Sequence, residues 1–210
     1  MAKGTVYLIR HGMTECNKMK SFQGAQDHPL NADGLNQAKE LAKHFQNIAL
    51  DSIYASTMTR ARQTAGELAK VKNLPVEFSD AFREISFGDW EGLEYAEITK
   101  RWPEEFGQFM TCPSRCHIPH AASFEEVKQR VWQEFQRILL KEGGGRNIAI
   151  VAHGGCLRLL LCALLGMPID NMWMLSLGNC SVTTLEFWDG RCVMTGFNDA
   201  KFLTQISLFP

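Results

Sequence analysis

The sequence lacks long apolar runs and a charge imbalance, and both absences narrow the range of functions. No apolar run in the 210 residues reaches the ~18 that a membrane-spanning helix needs, and the first residues contain no uninterrupted apolar core of a signal peptide. The formal net charge is -1, which offers no electrostatic basis for binding nucleic acid or an anionic membrane. We therefore expect a cytoplasmic protein whose partner is a small molecule, with no nucleic acid and no membrane partner.

The chain also lacks the sequence motifs of several phosphate-handling proteins. It contains neither a Walker-type phosphate loop nor a Gly-rich dinucleotide motif. None of the seven cysteines is followed six positions later by an arginine, the spacing that a cysteine phosphatase needs. Because the cysteines are odd in number and scattered from Cys16 to Cys192, we expect reduced thiols instead of a disulfide framework.

Strand and helix patterns alternate along the chain. Hydrophobic residues make up 45% and charged residues 21%, as in ordinary globular proteins, and the length fits one domain spanning residues 1–210. Apolar, β-favouring runs lie at 6–9, 52–55 and 147–152, and a helical pattern follows each of them before the next run or later in the chain. This alternation predicts a three-layer α/β/α sandwich, with helices on both faces of a mostly parallel sheet.

The remaining elements are predicted from turn-forming and capping residues and from hydrophobic periodicity. They are a helix capped by Ser56 or Thr57, an inserted loop at 103–122, a helix at 123–141, and a hairpin of Val182–Trp188 and Cys192–Phe197 turning at Asp189 and Gly190. The loop prediction rests on the three prolines of that segment. The long helix rests on apolar residues that recur at helical spacing.

The first strand ends in residues that suit phosphate chemistry. Val6 to Ile9 are apolar and β-favouring, and the run stops at Arg10, His11 and Gly12. The carboxyl edge of a parallel sheet is where ligands bind in such folds. A neutral imidazole can attack phosphorus, and an arginine offers a planar fork of donors to phosphate oxygens. Taken alone, however, the motif is equally consistent with a strand that simply ends in polar residues.

Two further strand-to-helix turns carry similar residues. The strand at 147–152 is followed by His153 and Gly154, and the turn after the second strand leads to Arg60 and Arg62. Convergence of three such turns favours a functional site over three unrelated strand ends. Arg62 lies two residues from Arg60, so helical geometry directs it elsewhere, and we expect packing or an ion pair for it.

Several motifs occur in an order that is similar to one known family. They are Arg10, His11, Gly12, Thr14 and Asn17; then Gln23, Gly24, Asp27, Pro29, Leu30 and Gly34; then Tyr54, Ser56, Arg60, Ala61, Gln63, Thr64 and Ala65; then Glu84, Gly88, Trp90, Glu91 and Gly92; and finally His153 and Gly154. With these motifs the chain resembles the histidine phosphatase superfamily, the phosphoglycerate mutase-like proteins, over nearly its whole length.

The resemblance implies a covalent mechanism. His11 would attack the phosphoryl group and become phosphohistidine, while Arg10, Arg60 and His153 would surround the equatorial oxygens. Glu84 would protonate the leaving oxygen and then activate water, which requires an uncharged carboxylic acid. The alternative for Glu84 is a solvated loop carboxylate.

The resemblance also implies how the substrate is bound. Asn17, the backbone around Gln23 and Gly24, and Gly154 would lie against the phosphate of a small phosphorylated metabolite. No metal and no other cofactor is required. The sequence leaves open whether the protein forms a homo-oligomer.

Mutases and phosphatases of this family share the catalytic residues, so the choice depends on substrate contacts. The adjacent arginine pair of the glycolytic mutases has no equivalent after Glu84; Lys100 and Arg101 are the nearest basic residues. We therefore predict a phosphatase, similar to small phosphatases such as α-ribazole phosphatase. A mutase and a non-catalytic phosphate-binding module are the alternatives.

Two cysteine-containing segments suggest further chemistry. Cys112, Cys116, His117 and His120 are four potential metal ligands within nine residues, although their spacing is not that of a usual zinc site. Cys156 follows Gly155 at the expected start of a helix, where the helix dipole would favour a thiolate. We hypothesise that Cys156 is the most reactive thiol; an inert, buried cysteine is the alternative.

Overall fold

A computed structural model of the chain describes residues 3–188 and 191–204, and its centre is a six-stranded sheet. The strands are β1 (Gly4–Arg10), β2 (Ser52–Ser56), β3 (Val76–Ser79), β4 (Asn147–Ala152), β5 (Val182–Trp188) and β6 (Arg191–Asp199). They lie in the order β3-β2-β4-β1-β5-β6, and the first four are parallel, whereas β5 is antiparallel to β1 and β6. The predicted turn at Asp189 and Gly190 lies outside the described residues.

Helices connect these strands and cover the sheet. They are α1 (Glu15–Lys18), α2 (Ala32–His44), α3 (Thr59–Lys72), α4 (Tyr95–Arg101), α5 (Pro103–Thr111), α6 (Phe124–Glu142) and α7 (Gly154–Leu165). Short 3-10 helices occur at Phe45–Asn47, Asp80–Phe82, Gly88–Trp90, Pro113–Arg115 and Ile169–Met174. In the described part of the chain, no helix has the length and apolar character needed to cross a membrane.

The sheet separates two hydrophobic cores, which explains why its central strands are apolar on both sides. Ile9 of β1 and Val151 of β4 pack on one face, in the core that includes α2 and α3. Leu8 and Ile150 point to the other face, in the core that includes α6 and α7. Because successive strand residues face opposite sides, a strand covered twice has no polar face. The predicted three-layer architecture is confirmed.

Two predictions about helix starts had different outcomes. The long helix, predicted at 123–141, is confirmed as α6, and Ser123 is its N-cap, since its side chain accepts a hydrogen bond from Glu126 N at 3.4 Å. For α3 the prediction was wrong, because the residue at the N-cap position is Met58. Asp27, distant in sequence, supplies the missing acceptor: its Oδ1 lies 2.7 Å from Thr59 N.

The predicted loop at 103–122 is also wrong, because its first half forms α5. Pro103 occupies the start of this helix, where its fixed φ is favourable and its missing N–H is not needed. Phe109 is buried, and its ring lies 5.4 Å from the ring of Trp90. Burial of aromatic side chains therefore stabilises a helix in a segment whose prolines suggested irregular structure.

Candidate active site

Two histidines lie side by side at the carboxyl edge of the sheet. β1 and β4 are neighbours, with Arg10 opposite Ala152, so the residues that follow them, His11 and His153, come together. Their ring centroids are 5.1 Å apart, and both side chains are buried. The register of two parallel strands thus places the two imidazole rings side by side, and His11 and Gly154 line one cavity.

Hydrogen bonding defines the protonation of His11. Its Nδ1 lies 2.7 Å from the carbonyl oxygen of Gly12. A carbonyl oxygen only accepts, so Nδ1 carries the proton and Nε2 keeps its lone pair. Burial, together with the cations Arg60 and Arg10, lowers the pKa of His11 well below its usual value. His11 is therefore neutral at pH 7 and chemically able to act as a nucleophile.

The same reasoning gives His153 the opposite tautomer. Arg60 Nε donates to His153 Nδ1 at 3.2 Å, so the proton of the neutral ring lies on Nε2. That nitrogen lies 2.8 Å from the hydroxyl oxygen of Ser56, the last residue of β2. Burial, and then the charge of Arg60, lowers the pKa of His153 well below its usual value.

Two arginines contribute positive charge beside these rings. Arg60 is fully buried and also donates to the carbonyl oxygens of Gln26 and Gly24, at 2.7 and 2.9 Å. Burial lowers the pKa of Arg60 to about 10, so it stays charged at neutral pH. Arg10 donates from Nη1 to Leu177 O at 2.6 Å, while its buried Nε has no partner among the described residues. An anionic ligand that accepted from this group would remove an unfavourable unpaired donor.

Glu84 lies at the amino terminus of α7, the helix that follows His153. Its Oε2 accepts from Gly155 N at 3.0 Å, and its Oε1 accepts from Cys156 N at 2.9 Å and from Ile85 N at 3.0 Å. A Cβ on Gly155 would lie only 2.8 Å from Glu84 Oε1, so a glycine is needed there for the carboxyl group to approach the helix. Glu84 therefore faces the cavity in a defined orientation and is not a solvated loop carboxylate.

This arrangement contradicts the hypothesis about Cys156. Its side chain is fully buried, and burial raises the pKa of the thiol, with the charge of Glu84 acting in the same direction. The helix terminus that was expected to favour a thiolate is occupied by the Glu84 carboxyl group instead. Cys156 is a small apolar packing residue.

The predicted substrate-binding residues also line the cavity. Asn17, Gln23, Gly24 and Gly154 all do so. The Oδ1 of Asn17 accepts from the backbone N–H of Thr14 and from Asn179 Nδ2, at 3.1 and 3.2 Å. These bonds orient the amide so that its NH₂ group is the part left for other acceptors. Asn179 was not identified from the sequence.

The cavity has a volume of about 330 Å³ and two kinds of wall. The polar side contains Arg10, His11, Asn17, Gln23, Arg60 and Glu84. Aromatic side chains form the other side: Phe106 and Phe109 come from α5, and the others are Phe22, Phe87 and Trp173. Arg158, on α7, also lines the cavity and was missed because the surrounding helix is otherwise apolar. Its position one helical turn after Gly154 was the available signal.

The remaining sequence-based candidates lie elsewhere. Cys116 Sγ donates to Glu105 O at 3.3 Å, and His120 Nδ1 contacts Asp89 Oδ1 at 2.8 Å. Within residues 3–188 and 191–204, no group of three or more His, Cys, Asp or Glu is arranged to hold a metal ion. The Arg62 guanidinium lies over the ring of Phe78, 4.5 Å from its centroid, which is the packing role expected for it.

Comparison with known proteins gives consistent matches. A family model described as Histidine phosphatase superfamily (branch 1) matches residues 6–200. Phosphoserine phosphatase 1 of Hydrogenobacter thermophilus is 31% identical over 191 residues, 91% of this chain and 90% of that protein. The adenosylcobalamin/alpha-ribazole phosphatase of Escherichia coli is 30% identical over 168 residues, 80% of this chain and 82% of that protein. The solved structure of Bacillus stearothermophilus YhfR has a TM-score of 0.89 at 32% identity, covering 95% of this chain and 99% of that chain.

Proposed function

This chain belongs to the histidine phosphatase superfamily, and from this membership we propose that it hydrolyses a phosphate monoester of a small metabolite through a phosphohistidine on His11. The observation that supports the covalent step most strongly is the tautomer of His11. Its Nδ1 is bonded to Gly12 O, so the unprotonated nitrogen is Nε2. That nitrogen belongs to a cavity that also contains two buried arginines, Arg10 and Arg60.

In the first step, Nε2 of His11 attacks phosphorus. The P–N bond forms as the bond to the ester oxygen breaks, and Glu84 gives its proton to that oxygen. Arg10 and Arg60 stabilise the charge on the phosphoryl oxygens, which is the main demand of a loose transition state. Gly12 O, which accepts from Nδ1, favours the positive ring that carries the phosphoryl group.

In the second step, water takes the phosphoryl group from His11. Glu84 accepts a proton from the attacking water, the P–N bond breaks, and inorganic phosphate leaves. Oε2 of Glu84 is the more suitable proton carrier, because it accepts one backbone N–H whereas Oε1 accepts two. This cycle returns Glu84 and His11 to their starting protonation states.

A trapping experiment tests the covalent intermediate. The protein is mixed with p-nitrophenyl phosphate, quenched in alkali within one turnover, and digested for mass spectrometry. We expect an acid-labile phosphoryl group on His11, and inorganic phosphate release that EDTA does not change. A phosphoryl group on another residue, or activity lost with EDTA and restored by magnesium or zinc, would contradict the proposal.

Phosphoglycerate mutase activity is the alternative that the same residues could support. It differs only in the acceptor of the phosphoryl group, which would be a substrate hydroxyl instead of water. Incubation with 3-phosphoglycerate, with and without 2,3-bisphosphoglycerate, separates the two: we expect inorganic phosphate and glycerate, and interconversion of phosphoglycerates would favour the mutase. The cytoplasmic location stays a prediction from the sequence, which also leaves open whether the protein forms a homo-oligomer.

A further inference from the structure

Arg158 is a buried cation in the cavity that the proposed reaction does not use. It lies on α7 and is 6% exposed. Its Nε donates to Leu175 O at 2.7 Å, and its guanidinium carbon lies 5.2 Å from the centre of the Trp173 ring. These two contacts fix the orientation of the guanidinium. Within the described part of the chain, no carboxylate forms an ion pair with Arg158 and no atom accepts from its Nη groups.

Nη1 of Arg158 lies near the guanidinium of Arg10, and both are close to Gly154. A Cβ on Gly154 would lie 3.0 Å from Arg158 Nη1 and 3.3 Å from Arg10 Nε. The two guanidinium groups therefore both lie close to the same glycine of the cavity wall. Burial lowers the pKa of Arg158 to about 10, and the charge of Arg10 adds to this shift, so both are cations at pH 7.

A count of charges indicates that the phosphate alone does not balance this cavity. Arg10, Arg60 and Arg158 are positive, and Glu84 is the single acid among the described residues that line it. The proposed first step requires Glu84 to carry a proton. Three positive charges then face a phosphate dianion, and one buried positive charge is left without a partner, which is unfavourable.

The aromatic side offers room for the organic part of a substrate beside this charge. Tyr95 lines the cavity there; burial raises the pKa of its phenol, and Arg10 and Arg158 oppose the shift, so the three groups lie close together. Trp173, which contacts Arg158, donates its indole N–H to Phe109 O. An acidic group on the substrate would meet a fixed guanidinium beside aromatic side chains.

We propose that Arg158 binds a carboxylate of the substrate, so that this enzyme acts on phosphate esters of small hydroxy or amino acids. The inference rests on the phosphatase activity proposed above and specifies its substrate class. The named relatives differ in this respect, since phosphoserine carries a carboxylate next to its phosphate ester and α-ribazole carries none.

Matched substrates test this directly in the unchanged protein. Phosphoserine is compared with phosphoethanolamine, and 3-phosphoglycerate with glycerol 1-phosphate; the second member of each pair lacks only the carboxylate charge or group. A charge-assisted hydrogen bond corresponds to about a 10- to 100-fold preference in kcat/KM for the first member. Equal rates on both members would overturn the inference, while leaving the proposed phosphatase activity intact. Failure to hydrolyse any ester, p-nitrophenyl phosphate included, would overturn both.

Variants then assign the preference to Arg158. Arg158→Met should reduce it to about one, because KM rises much more for the carboxylate member of each pair than for the member without a carboxylate. Arg158→Lys should keep part of the preference, because it keeps the charge but not the fork. Arg62→Met, which alters an exposed arginine outside the cavity, is the control. Equal losses on both members of a pair would mean that Arg158 serves the phosphate or the fold, and would overturn the assignment.

If Arg158→Met does not fold, competition in the unchanged protein gives the deciding measurement. Phosphoserine should inhibit p-nitrophenyl phosphate hydrolysis at about 10- to 100-fold lower concentration than phosphoethanolamine. Arg158→Lys should narrow that difference. Inhibition at similar concentrations would overturn the inference.

Discussion

Two strand-to-helix turns carry the neighbouring histidines His11 and His153, and the two rings differ in which nitrogen holds the proton. After β1, Gly12 O accepts from Nδ1 of His11, so its Nε2 keeps a lone pair. After β4, Nδ1 of His153 accepts from Arg60, so its Nε2 holds the proton and donates to Ser56. Both histidines follow a buried strand and precede a glycine. Their chemistry is therefore set by the neighbouring donors and acceptors and not by the His-Gly motif they share.

The helices that follow the two turns also begin differently. α1 is short and is capped by Thr14, whose side chain accepts from Asn17 N. α7 has no side-chain cap from its own N-cap residue, and Glu84 accepts from its first backbone N–H groups instead. The first turn thus presents the proposed nucleophile, and the second presents a carboxyl group from another part of the chain.

The largest expected effect comes from replacing His11, whose Nε2 lone pair is the proposed nucleophile. His11→Asn should lower kcat/KM for p-nitrophenyl phosphate by about 10⁴-fold or more, whereas His153→Asn should lower it by about 10²- to 10³-fold. The reason is that a nucleophile cannot be replaced, whereas His153 acts through its hydrogen bond with Arg60, and the loss of that bond can be partly compensated. His44→Asn on the exposed side of α2 is the control. Equal losses for His11→Asn and His153→Asn would contradict the division of roles.

A smaller effect is expected from replacing the carboxyl group of Glu84 by an amide. Glu84→Gln should slow the phosphorylation step by about 10²- to 10³-fold for alkyl esters and by less than about tenfold for p-nitrophenyl phosphate, because a good leaving group needs little protonation. The step is timed by rapid quench, so that slow dephosphorylation does not hide the difference. The exposed Glu97→Gln on α4 is the control. Similar losses on both substrates would indicate that Glu84 only holds the start of α7.

Removing the partner of His153 should have a modest effect. Ser56→Ala leaves the Nε2 proton of His153 without its acceptor, and loss of one neutral hydrogen bond corresponds to about a 2- to 10-fold fall in kcat/KM. Ser52→Ala changes the same residue type at the opposite end of β2 and should have no effect. An unchanged rate in Ser56→Ala would mean that the tautomer of His153 is held by Arg60 alone.

The smallest expected effect is an absence of change with pH. The pKa values of both histidines are lowered, so each ring takes up a second proton only below the ordinary histidine value of about 6.5. Long-range ¹H–¹⁵N spectra should show the Nδ1–H tautomer for His11 and the Nε2–H tautomer for His153 throughout pH 8 to 6.5. A common tautomer for both rings would contradict the comparison.

The polar side of the cavity was predictable because it depends on strand ends. β4 was predicted with its observed bounds, since Asn147–Ala152 is an apolar run between Gly145 and His153. Parallel strands bring their carboxyl ends to one edge of the sheet, so the sequence alone predicts that His11 and His153 lie together, as they do. The predicted family membership and the phosphatase class are confirmed by the comparisons.

The aromatic side was not predictable, because it depends on contacts between distant segments. The prolines of the segment that begins at Pro103 predict a loop. Pro103 instead starts α5, the helix that carries Phe109 into the cavity wall. The cap of α3 comes from Asp27, which no local pattern indicates. Arg158 stands alone in an apolar helix, where hydrophobic periodicity gives no reason to single out one cation.

The position of Glu84 makes the electric field of a helix part of the proposed reaction. The amino terminus of α7 carries a partial positive charge, and the carboxyl group accepts directly from its Gly155 and Cys156 N–H groups. This field stabilises the carboxylate that remains once the proton has moved to the leaving oxygen, so it drives the transfer forward. It acts against recovery of the proton until the attacking water supplies one. A backbone feature common to all helices thus favours the proton transfer of the first half of the cycle and opposes that of the second, in which Glu84 takes a proton from water.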